Sequence, residues 1–307
     1  MEKQITIKEN NPLKSLLLVF ASVILTATTL VFGAVMLRAL KLGTSKLTYW
    51  FICFFTSMVL LLSKSYILGI MFMVIAFLIG LFSFFQENGY SLERASFVSL
   101  FSSSLILCGS YLLMNYQTSQ NFIAPFKEKL TLMLGQSAVQ KDVNIAKLVD
   151  DLIKQVPSGL VMSLMIALVL SLVIEAKFKH WFKTPTNMKY KLEFFKLPDE
   201  FIWAFIVTLF GSFYAYDEAG SYLWVKTVSV NLFNIVLLFY FFQGLSIIYY
   251  YFKLYNVSPF WRMLLTIMFI FQLFVVVCAL GITDFWFNYR LRLAQKAART
   301  KNKEIEE

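Results

Sequence analysis

Eight stretches of this chain carry no charged residue: 15–37, 47–63, 65–86, 95–126, 155–174, 201–216, 227–252 and 263–283. A helix rises about 1.5 Å per residue, so roughly 20 apolar residues cross a hydrocarbon core about 30 Å thick. Most of the runs reach that length and none alternates with the period of two that a membrane strand needs. The pattern predicts an all-α fold, a polytopic transmembrane helical bundle of about eight spans. The run 201–216 is short for a span. Runs 47–63 and 65–86 are joined only by Ser63-Lys64-Ser65, which forces a tight hairpin if both cross. Composition agrees: 59% of residues are hydrophobic and 15% charged, too much apolar surface for an aqueous core of this size. The net charge of +10 then speaks of phospholipid headgroups and orientation, not of nucleic acid.

The first run follows a basic flank, as a signal peptide would, but it exceeds a typical h-region and ends in no A-x-A site. We read it as retained, either as one span or as a short hairpin turning near Thr28-Thr29. Basic residues divide almost evenly between the two sides under either reading; with eight spans both termini are expected inside, whereas the hairpin would move the C-terminus outside. The two most basic segments, 177–196 and 290–303, are separated by three of the predicted spans. A simple count puts them on opposite sides, so one of them breaks the positive-inside rule or one of the three runs is not a span. A single membrane domain is expected over 1–289, followed by a basic polar tail over 290–307.

The sizeable polar insert covers 116–156. In it Ile145, Leu148, Val149, Leu152, Ile153 and Val156 recur at helical spacing, while Asp142, Lys147, Asp150, Asp151 and Lys154 fill the other face. This predicts an amphipathic helix ended by Pro157, lying along the membrane surface or capping the bundle as a lid.

Chemistry-bearing residues are scarce. Cys53, Cys108 and Cys278 sit singly in apolar runs and read as buried small hydrophobes, leaving neither a disulfide framework nor a metal site. The one histidine, His180, lies beside Lys179 and Trp181 and reads as part of an interfacial anchor belt. No nucleophile–base set or phosphate-binding loop is present in the sequence, so neither enzymatic activity nor a cofactor is expected.

Polar groups inside apolar runs are more informative, because hydrocarbon offers them no partner. Thr227, Asn231 and Asn234 share one face of the seventh run. Gln243 and Gly244 point elsewhere, with Ser246 one turn further on. Ser22, Thr26 and Thr29 form a stripe in the first run, Ala76 and Gly80 a small-xxx-small contact in the third, and Gln272 falls in the middle of the eighth. Such groups either hydrogen-bond between helices or line a cavity for a polar solute.

The run "NIVLLFYFFQGLSIIYYYF", a short loop with Pro259 and Arg262, and a span closing in "GITDFWFNYRLR" resemble the C-terminal half of the YybS-like family. These are uncharacterised bacterial membrane proteins, catalogued as domain of unknown function 2232. Gln243 and Gly244, with Gly281, Asp284 and Arg290, carry most of the resemblance, and "FFKLPDEFIWA" adds to it. The family is similar in its N-terminal half to the substrate-binding subunits of energy-coupling-factor vitamin transporters, and the resemblance implies a helical bundle in the bacterial inner membrane. The expected partners are the lipid bilayer and a small polar solute held near Asn231, Asn234 and Gln243. The alternative is a non-transporting scaffold or assembly factor that binds a cytoplasmic protein.

Overall fold

The computed structural model describes residues 12–29, 31–117, 124–137, 145–177, 192–214 and 223–295, and among these every regular element is helical. The chain divides into two compact units, Met1–Lys189 and Tyr190–Glu307.

The first unit contains α1 (Pro12–Thr29), α2 (Val31–Gly43), α3 (Lys46–Leu62), α4 (Tyr66–Glu87), α5 (Leu92–Gln117), α6 (Ala124–Ser137), α7 (Ile145–Lys154) and α8 (Val156–Lys177). The first apolar run is the hairpin, not the single span. Seven residues along one helix would separate Thr26 from Gly33 by about 10 Å. Here a methyl group placed on Gly33 would collide with the Thr26 hydroxyl and lie 3.2 Å from the Ser22 carbonyl. The chain has therefore reversed, and only a residue without Cβ lets the two helices approach this closely. Ser22 and Thr26 are buried on that seam while Leu13, Leu16, Leu17 and Phe20 face outward. Polar inside and apolar outside is the arrangement that lipid selects.

α3 and α4 form the expected tight hairpin across Ser63–Ser65, with Lys64 in the left-handed region (φ 63°). The Tyr49 hydroxyl donates to the Ala76 carbonyl at 2.8 Å, and a Cβ on Gly80 would lie 2.6 Å from the Trp50 ring. The Ala76/Gly80 contact is thus made by aromatic side chains of α3. α2 packs against α8 and α4, and α4 against α5. α7 carries the predicted amphipathic face: Val149 is buried, Leu148 and Leu152 are exposed, and Lys127 of α6 pairs with Asp150 at 2.6 Å. Cys53 and Cys278 are buried as expected, whereas Cys108 is exposed on a helix whose Phe101 and Leu105 also face outward. His180 lies outside the described residues.

The second unit begins with a 3-10 turn (Leu192–Phe194) and continues through α9 (Phe201–Tyr214), α10 (Leu223–Leu254), α11 (Pro259–Phe271) and α12 (Phe274–Phe287). Helical backbone resumes at 289–295. α9 runs antiparallel to α10: Phe201 meets Phe239 at 5.4 Å, Phe205 meets Phe233 at 5.8 Å, and Gly211 abuts Ser229. The residues before α9 extend that line towards the far end of α10. Leu197 reaches Gln243, Phe195 reaches Ser246, Phe194 stacks edge-on against Tyr250 at 5.8 Å, and Glu193 reaches Lys253. From 195 to 198 this strip has no regular structure. Pro198 has no N–H to donate and biases Leu197 away from helical geometry, so the helix starts only beyond it.

The eighth run is not one straight helix. α11 and α12 are bent by 95° at Gln272–Leu273. Gln272 is therefore an exposed residue at a break, not a polar group in mid-span. Neither Pro nor Gly stands at the break. On its far side, Phe274 stacks on Phe241 at 4.7 Å, Cys278 Sγ donates to the Leu237 carbonyl, and Gly281 sits between Tyr240 and Gly244. The contacts from Phe274 to Gly281 fall on residues 237–244 of α10, so α12 crosses α10 instead of running along it. Asn288, left-handed at φ 44°, then ends α12, a conformation Asn tolerates better than most residues.

By length and composition, four of the described helices can cross a membrane: α1, α4, α8 and α10. Five can if the bent pair counts as one span, while α3 and α9 are shorter apolar helices. The eight predicted spans therefore include broken and short segments.

Candidate functional site

Among the described residues, each unit buries a polar centre. In the first, Arg38 of α2 is 1% exposed. Its Nε donates to Glu175 Oε2 of α8 at 2.9 Å, Nη1 to Ser83 Oγ at 2.5 Å and Nη2 to Gln86 Oε1 at 2.6 Å. The guanidinium also lies 5.4 Å from the centre of the Phe82 ring. One turn on, buried Lys41 donates to Glu87 Oε1 at 3.2 Å, and Lys46 of α3 holds the other oxygen of that carboxylate at 3.1 Å. The centre ties α2, α3, α4 and α8 together through side chains whose own helices have intact backbones. Sequence reasoning missed it, because Arg38 follows the first run by one residue and reads as a flanking charge. The reversal between α1 and α2 is what brings it inside. The available signal was Arg38 and Lys41 at i, i+3, on one face of a short helix.

In the second unit the side chains serve a backbone. Gln243 is 3% exposed. Its Oε1 accepts the Leu197 N–H at 3.1 Å and its Nε2 donates to Asp284 Oδ2 at 3.1 Å. The other oxygen of Asp284 accepts the Tyr289 N–H at 2.8 Å, beyond the end of α12. The Phe195 carbonyl takes two donors, Ser246 Oγ at 3.0 Å and Arg290 Nη2 at 2.6 Å, and the same Nη2 lies 2.7 Å from Ser246 Oγ. Strip 195–197 and the turn after α12 have lost helical hydrogen bonds, and Gln243, Ser246, Asp284 and Arg290 replace them. Non-helical backbone is tolerated at membrane depth only with such partners. Burial lowers the pKa of the Arg290 guanidinium from its ordinary value, and the Asp284 carboxylate opposes the shift.

The glycines set the spacing. A Cβ on Gly244 would collide with the Val277 carbonyl, and one on Gly281 with the Tyr240 carbonyl. α10 and α12 therefore touch backbone to backbone, which brings Asp284 within reach of Gln243. Five residues singled out in the sequence, Gln243, Gly244, Gly281, Asp284 and Arg290, thus meet at one place. Asn231 and Asn234 do not join them. Both are half-buried, and the Asn231 amide donates to the Thr227 carbonyl of its own helix at 2.7 Å. Their level on α10 is that of α9, where Phe205 meets Phe233.

Polar groups buried against helices whose apolar side chains face outward define an all-helical integral membrane protein. The model of DUF2232, a family described as a predicted membrane protein, matches residues 13–285. The chain belongs to that family. Arg290 lies beyond the matched residues. No curated protein and no solved structure matches the chain.

Proposed function

We propose that this chain is a substrate-binding or transport-type membrane protein, with the broken strip 195–198 of the second unit and the side chains around it as its solute-binding region. One observation carries the reading. A non-helical stretch lies alongside a helix long enough to cross the bilayer, and polar side chains, not helical hydrogen bonds, meet its peptide groups. Interrupted helices are where membrane carriers hold solutes, since exposed peptide groups there can exchange a protein partner for a ligand. In this reading the run 263–283 re-enters the membrane and returns to the end of α10 from which it came. α7 rests on the bilayer surface.

The alternative, a scaffold holding a cytoplasmic protein, draws on a different observation: Gln243 already spends its amide on Leu197 and Asp284. A thermal-shift screen of the purified chain against vitamins, metal ions and other small polar solutes separates the two. Binding predicts a saturable rise in Tm with at least one solute, weakened in Ser246→Ala. A flat screen together with a stoichiometric copurifying soluble protein supports the scaffold.

A further inference from the structure

We propose that Arg290 and Ser246 form a subsite for one oxyanion group, a phosphate or carboxylate, carried by a free solute or by an anionic lipid headgroup. The inference rests on the solute-binding reading above and names the charge class of the ligand.

A guanidinium has five N–H donors, and Arg290 is seen to use only Nη2, on the Phe195 carbonyl and Ser246 Oγ. Its Nε is buried with no acceptor. Among the described residues no carboxylate pairs with it: Glu193 is taken by Lys253 at 2.5 Å. Asp284, the nearby acid, has one oxygen on Gln243 and the other on the Tyr289 N–H. Arg290 is thus a half-buried cation with an unused donor and a counter-charge that acts on it only from a distance. Burying a donor without an acceptor costs free energy. An oxyanion would accept from Nε and from Nη2, the two N–H groups on the same side of the guanidinium, in the forked geometry it recognises best, and would displace Nη2 and the Ser246 hydroxyl from the Phe195 carbonyl. A neutral solute would leave the charge uncompensated, and a metal cation would be repelled.

The surroundings favour the same sign. Arg262, over the Tyr249 ring at 5.6 Å, also has a buried Nε without an acceptor, and the Lys253 side chain is largely exposed. Tyr249 and Lys253 belong to the same end of α10 as Ser246. Ser246 precedes Lys253 by about 10 Å of helix, within reach of a headgroup phosphate for a long basic side chain.

The test uses the full chain in neutral detergent at constant ionic strength. It is titrated with inorganic phosphate, and separately with phosphatidylglycerol against phosphatidylcholine, while Tm is followed. One of the two phosphates should raise Tm saturably, and Arg290→Gln should weaken that effect at least about tenfold, with Arg290→Lys in between. An effect of free phosphate alone assigns the site to a solute, and an effect of phosphatidylglycerol that phosphate does not compete assigns it to a lipid. If Arg290→Gln fails to fold, the Nε–H resonance of Arg290 in the unmodified chain, assigned through Arg290→Lys, should move during the titration. The inference is overturned if neither phosphate stabilises the unmodified chain, if Arg290→Gln binds as well as the unmodified chain, or if that resonance stays still. A neutral solute that stabilises the unmodified chain and Arg290→Lys alike, with both phosphates inert, would remove this inference and leave the solute-binding reading standing.

Discussion

Both units bury polar side chains, to different ends. Around Arg38, charges meet charges, and the helices that carry them need no help with their own hydrogen bonds. Around Gln243, side chains meet peptide groups that have left a helix. The first arrangement welds helices through ion pairs that hydrocarbon makes costly to separate. The second makes a break in the secondary structure affordable. A unit of the first kind should be most sensitive to stranded charge, and one of the second kind to lost backbone partners and lost close approach.

The largest expected effect is in the first unit. Arg38→Ala strands the Glu175 carboxylate and should destabilise by about 3–5 kcal/mol in equilibrium unfolding from mixed micelles. Replacing both partners, Arg38→Met with Glu175→Leu, should recover most of that loss. If the double variant is no better than the single one, the centre is not the paired weld described. Next, Gly244→Ala should cost about 2–3 kcal/mol by driving a methyl into the Val277 carbonyl, with Gly281→Ala similar. An alanine accepted there without loss would deny the backbone contact between α10 and α12.

Gln243→Ala should cost about 1–3 kcal/mol, because the Leu197 N–H loses its acceptor and Asp284 a donor. Hydrogen exchange at Leu197 should rise in that variant while exchange in α3 and α4 stays as it was. Smallest is Asn231→Ala, at about 0.6 kcal/mol or less, since its amide serves a carbonyl already bonded within α10. An Asn231 effect larger than that of Gln243 would reverse the ranking of the two polar faces.

Much of this could be read from the chain. Lipid as solvent, helices throughout, the α3–α4 turn and the amphipathic α7 all follow from local pattern; a polar residue within grease pointed to Gln243, and the family resemblance to Asp284. What escaped was long-range. Charge-free length does not distinguish a span from a hairpin, since both bury apolar residues and only Gly33 against Thr26 decides for the hairpin. Arg38 therefore looked like a flank. The bend at Gln272 has no Pro or Gly to announce it and depends on Phe241 and Gly244 receiving Phe274 and Val277. Asn231 and Asn234 looked as significant as Gln243 because sequence shows which residues are polar but not which peptide groups have lost their partners. The conflict between the two basic segments has the same origin. Glu193 and Phe195, at the end of one, and Arg290, at the start of the other, meet the same half of α10; in the proposed re-entrant reading, counting 263–283 as a crossing is what separated them.

That return is the central claim, and side-specific labelling tests it most directly. In a chain with Cys53, Cys108 and Cys278 replaced by Ala, single cysteines at exposed Ser258→Cys and Ala294→Cys flank the bent pair. The re-entrant account predicts that a membrane-impermeant maleimide reaches both from the same side of sealed vesicles. Labelling from opposite sides would make 263–283 a true crossing and contradict it.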